Sequence, residues 1–136
     1  MEWNKTYGGE QFDSANSLIV TSDGGYALAC WSSSFGAGDD DFWLVKTDVN
    51  GNIEWNQIYS GTGDDFARSL VKTFDGGYAL AGDTKSFGTV YSDFWLVKTD
   101  ELGIPEFPSW IILPILIVST FVVIVIRNKI RKKELD

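Results

Sequence analysis

Acidic side chains are the residues of this chain best suited to chemistry, and they come in tight groups: Asp39, Asp40 and Asp41, then Asp64 and Asp65. Loop carboxylates suit calcium, which takes oxygen ligands. Two carboxylates held across a cleft would suit glycoside hydrolysis. No EF-hand spacing accompanies them, and 52 residues after Asp39 and Asp40 stand Tyr91 and Ser92. The expectation is therefore solvated loop charge. The chain has no His, which excludes a Ser-His-Asp site and His-ligated metals. Its one thiol, Cys30, has Gly82 as its counterpart 52 residues on, so it reads as a small strand residue. The Gly-rich turns lack a phosphate-loop pattern. No catalytic residue, cofactor or metal is assigned, and the chain is not expected to be an enzyme.

Charge is unevenly spread. Residues 1–100 carry 6 Lys/Arg against 15 Asp/Glu, whereas residues 127–136 carry 5 against 2. An acidic body lacks the basic footprint that nucleic acid requires.

The elements that must position any site are written twice. "DFWLVKTD" stands at residues 41–48 and again at 93–100, and "DGGYALA" at 23–29 and 75–81. Comparing residues 2–51 with 54–103 gives 29 identities in 50 positions without a gap. A fixed period of this length marks a repeat architecture, in which each unit buries apolar surface against its neighbours. The division is repeat 1 at 1–52, repeat 2 at 53–103, a Pro-bounded linker at 104–109, a membrane span at 110–126 and a basic tail at 127–136.

Each repeat holds four strand-like pieces, at residues 53–61, 67–74, 77–82 and 93–100 in the second copy. The "DGG" before the third piece and "NG" at residues 50–51 are turn signals that require positive φ. The "FWLV" of the fourth piece does not alternate, so both of its faces should be covered. Coverage should be poorer in the second copy, which no third copy follows. The predicted fold is all-β, with two four-stranded antiparallel units resembling propeller blades, then one transmembrane α-helix.

"EWNKTYGG", "DGGYALA", "SFG" and "DFWLVKTD" together resemble the tandem repeats of about 50 residues found in archaeal and bacterial surface proteins. The resemblance covers residues 2–103 and implies a β-propeller scaffold without naming a ligand. The double Gly before Tyr26 and Tyr78 is also similar to kelch repeats, but the kelch-type Trp spacing is missing from the second copy. Propellers close with about 4–8 blades. Three arrangements are open: several chains complete a ring, the chain is the C-terminal end of a longer array, or two units form an open pair with exposed edges. The abrupt start, with "MEWNKTYGG" lacking the features of a signal peptide, favours the longer array.

Residues 107–126 contain no charge. At ~1.5 Å per residue, 20 residues span a hydrocarbon core of ~30 Å. Arg127, Lys129, Arg131, Lys132 and Lys133 follow directly, which by the positive-inside rule predicts a cytoplasmic C-terminus and extracellular repeats. Pro105, Glu106 and Phe107, then the apolar span and the basic cluster, resemble the tripartite sorting signals of archaeal surface proteins. That resemblance implies recognition by an archaeosortase-like enzyme and exchange of the helix for lipid. A plain anchor behind a stiff linker is the alternative.

The expected function is thus a membrane-anchored extracellular module for recognition, adhesion or envelope scaffolding, with membrane lipid and further β repeats as partners. The alternative is the anchor portion of a larger surface enzyme whose catalytic domain lies upstream.

Overall fold

The computed structural model describes residues 2–105. The two copies fold into two antiparallel sheets whose registers repeat with the same offset of 52. In the first, β1 (Asp13–Val20), β2 (Tyr26–Ser32), β3 (Asp41–Thr47) and β4 (Ile53–Tyr59) lie in that order; in the second, β5 (Asp65–Lys72), β6 (Tyr78–Thr84) and β7 (Asp93–Thr99) do. Asp13 pairs with Ser32 and Asp65 with Thr84, and a bulge recurs between Ala15 and Ser17 and between Ala67 and Ser69. The "DGG" turns form with Gly24 at φ 84° and Gly76 at φ 91°. Gly25 and Gly77 are required for a different reason. A Cβ there would lie 2.0 Å from the Thr47 carbonyl oxygen and 1.9 Å from that of Thr99.

One expectation is corrected. Among the described residues the second sheet has three strands, not four. The first segment of repeat 2, β4, pairs with β3, so this leading strand completes the sheet before it. No leading strand of a third repeat adds to β7 among the described residues, where Pro105 makes only an isolated bridge to Thr99. Residues 2–9, the same segment in repeat 1, form no strand. Strand bounds also move from the predicted ones: the second and third pieces run to Asp65–Lys72 and Tyr78–Thr84. The expected C-terminal helix lies outside the described residues.

The core sits between the sheets. Ala27, Ala29, Phe42 and Leu44 of the first meet Ala67, Leu70, Tyr78, Leu80 and Val97 of the second, with Tyr59 alongside. The Phe42 ring lies 4.8 Å from that of Trp95, and the Trp31 ring 5.6 Å from that of Phe66. β3 is buried at every position, as its unbroken apolar run predicts. In β7 the same sequence leaves Phe94 87% and Leu96 64% exposed.

Candidate functional site

Three features of the body could hold a site: the acidic loops, the buried thiol, and the two ends of the sheet pair. The acidic side chains divide by burial. Asp41 and Asp65 are fully buried, contrary to the expectation of solvated charge. Each opens a strand, β3 and β5, and turns inward. Asp65 is held by the Thr84 and Ser86 hydroxyls and the Gly61 N–H. Asp41 accepts from the Gly38 N–H at 3.1 Å through Oδ2, while its Oδ1 has no partner among the described residues. Burial, with Asp65 and Asp40 nearby, pushes the Asp41 carboxyl above its usual range. Asp13 stands in the place of Asp65. Burial opposes its ionisation, but the Ser32 hydroxyl, the Gly9 N–H and the Ser34 hydroxyl together hold it below the usual range. These carboxylates are bound up in organising loops, and among the described residues no three His, Cys, Asp or Glu converge on a metal position.

Burial pushes the Cys30 thiol up to about 12, so it stays protonated. Among the described residues Lys46 is the one buried Lys, an arrangement the octet sequence did not disclose. Its ammonium lies 2.8 Å from Asp23 and 2.6 Å from Glu54. Burial would lower its pKa, but the two carboxylates raise it above the ordinary lysine value. The signal for it was available: Asp23, Lys46 and Glu54 recur as Asp75, Lys98 and Glu106. Lys98 meets Asp75 at 2.6 Å.

The ends of the sheet pair carry the open surface. At one end an apolar groove of about 340 Å³ is lined by Trp3, Tyr7, Leu18, Tyr26, Leu28 and Thr47. Trp3 rests edge-on against Tyr26 with ring centroids 5.9 Å apart, and the Tyr7 hydroxyl donates to the Gly51 carbonyl at 2.7 Å. At the other end lie the exposed Phe94 and Leu96 of β7, whose edge among the described residues meets only Pro105, through Thr99.

Of the predicted anchor residues, Pro105 bridges to Thr99. Glu106, Phe107, Arg127, Lys129, Arg131, Lys132 and Lys133 lie outside the described residues. Among the described residues no helix is long and apolar enough to cross a membrane. Comparison with protein-family models, curated proteins and solved structures finds no match to this chain.

Proposed function

We propose that the chain is a membrane-anchored scaffold or adhesion module whose propeller-type β repeats stand outside the cell on a single C-terminal span. The observation that carries this reading is the 20-residue uncharged stretch at 107–126 followed at once by five cations. Length matches the hydrocarbon core, and the cations fix its direction. The acidic body before it suits the outer side and repels nucleic acid. Two like sheets packed face to face, the first completed by the leading strand of the second repeat, support the array. Pro105, Glu106 and Phe107 then mark either the junction of a plain anchor or the recognition point of a sorting enzyme.

The anchor is tested by Val118→Arg. A charge at the centre of a span costs ~2.5–3.5 kcal/mol on an insertion scale. The parent chain should sediment with membranes and resist carbonate extraction, and the Val118→Arg chain should be released or degraded. Release of the parent by carbonate would contradict the anchor.

A further inference from the structure

The two repeats meet at a pair of buried acids. Asp41 opens β3 and Asp65 opens β5, and neither side chain reaches solvent. A backbone bond ties the two strand starts across the sheets: the Asp65 N–H donates to the Asp40 carbonyl at 2.5 Å. The two carboxyl groups are thereby held near each other at the seam, where Asp65 acts on Asp41 as a like charge. Two neighbouring carboxylates taken out of water do not both ionise without a large penalty.

The donors around the pair are unequally shared. Asp65 accepts from the Thr84 hydroxyl through Oδ1, and from the Ser86 hydroxyl and the Gly61 N–H through Oδ2. Asp41 accepts from the Gly38 N–H through Oδ2, while its Oδ1 has no partner among the described residues. What Oδ1 approaches is an acceptor. A Cβ on Gly38 would lie 3.1 Å from Oδ1 and 2.3 Å from the Gly63 carbonyl oxygen, so the two oxygens converge on one point. Two acceptors brought together in a dry place are reconciled by a hydrogen between them.

We infer that Asp41 of the folded protein carries a proton on Oδ1 and donates it to the Gly63 carbonyl, so that the joint between the repeats is held by a hydrogen bond that forms in acid and is lost as pH rises. The Gly63 carbonyl already accepts from the Ser86 hydroxyl at 3.2 Å, and its second lone pair takes the new bond. The charged groups around Asp41 favour the proton. Asp40 stands on the lead-in to β3 and Asp65 on β5. Asp39 and Asp64 gather around Lys85, whose ammonium is bound to Asp64 at 2.6 Å. β2 places the neutral Ser32 opposite Asp41. A metal ion would also relieve the pair, but among the described residues no three His, Cys, Asp or Glu converge. A proton needs one acceptor.

Repeat 2 shows the other solution. Thr89 stands where repeat 1 has Ala37, and its N–H and hydroxyl both donate to Asp93 Oδ2. These bonds hold Asp93 below the usual carboxyl range, whereas burial, with Asp65 and Asp40 nearby, holds Asp41 above it. A carboxyl raised by folding contributes its stability in full below its unfolded value and loses it as pH climbs through the folded one.

The test uses the full chain in detergent, with the Asp carboxyl carbons labelled for NMR. The Asp41 carboxyl should titrate with a midpoint above the ~3.9 of an ordinary Asp. Ala37→Thr supplies the hydroxyl that serves Asp93 and should bring the midpoint down. The Asp65 amide reports on the seam, because it donates across it. Corrected for intrinsic exchange, its protection in the parent should fall as pH rises towards that midpoint, by up to about tenfold per pH unit, and level off above it. Asp41→Asn carries a permanent donor and should show no such step. If Asp41→Asn does not fold, the parent and Ala37→Thr make the comparison. A midpoint at or below the ordinary value overturns the inference. So does an Asp65 amide whose protection ignores the titration, or the same step in Asp41→Asn. None of these readouts depends on the membrane anchor.

Discussion

Tyr59, the last residue of β4 in the first sheet, donates its hydroxyl to the Gly103 carbonyl just past the end of the second sheet, at 2.5 Å. The bond ties the two sheets at their rim, and Tyr7 repeats it onto Gly51. Tyr59 and Gly103 are both buried. Tyr59→Phe leaves the carbonyl without this partner and should cost about 1–3 kcal/mol, the penalty of an unsatisfied buried group. Tyr7 is less buried, so Tyr7→Phe should cost less. Urea unfolding of both chains, compared by midpoint at constant slope, checks the order.

Trp43 and Trp95 occupy matching places, each against the Phe of its own "SFG", at 5.3 Å from Phe35 and 5.0 Å from Phe87. Trp43 is buried and Trp95 half-buried. Trp43→Ala should cost ~3–5 kcal/mol as a large-to-small core change. Calorimetry should show a smaller loss for Trp95→Ala, and equal losses would contradict the unequal covering of the two octets.

Gly25→Ala and Gly77→Ala push a methyl group onto a backbone carbonyl. Each should destabilise by about 1–3 kcal/mol, the range for overpacking. The same exchange at the neighbouring Gly24 meets nothing within 4 Å and is penalised only through its positive φ. Thermal melts of the four chains, parent included, separate the crowding effect from the torsional one.

Asp41 and Asp93 hold one sequence position in the two repeats, yet they should titrate in opposite senses. Burial raises the Asp41 pKa, whereas the Thr89 N–H and hydroxyl lower that of Asp93. A raised carboxyl pKa removes stability as pH climbs from the unfolded value towards the folded one. A lowered pKa adds stability above the unfolded value, and that gain is lost as pH falls. Asp41→Asn should therefore stabilise at pH 7 with an advantage that shrinks on acidification, and Asp93→Asn should destabilise at pH 7. Denaturation at pH 7 and at pH 3 gives both signs.

The octet's burial could be read from "FWLV", because an apolar run without alternation needs two covered faces, and its weaker covering in the second copy from the lack of a third copy after it. The sheet to which residues 53–59 belong could not. A leading segment has the same sequence whether it joins the strands after it or those before it, and only packing decides. For the same reason "EWNKTY" at residues 2–7 is not a strand, although "EWNQIY" at 54–59 lies within β4: strand propensity expresses the neighbours available. The buried Asp41 and Asp65 were missed because adjacent acids in a loop look alike in sequence, and which one turns inward is set by the strand it opens. Lys46 was missed because its two carboxylates lie 23 and 8 residues away.

If Pro105, Glu106 and Phe107 form a processing signal, the mature protein should end near this tripeptide and carry lipid, and Glu106→Ala should restore the full mass. A plain anchor leaves the mass of the complete chain in both. Intact-mass spectrometry of membrane-extracted protein decides between them.

The display of the repeats outside the cell is tested most directly by labelling intact cells with a membrane-impermeant maleimide. Cys30 is buried and its thiol protonated, so it contributes no background. Phe74, at the tip of the β5–β6 turn, is fully exposed. The Phe74→Cys chain should label on intact cells, and the Lys133→Cys chain only after lysis. Labelling of Lys133→Cys on intact cells with Phe74→Cys protected until lysis would invert the topology and contradict the surface-display account.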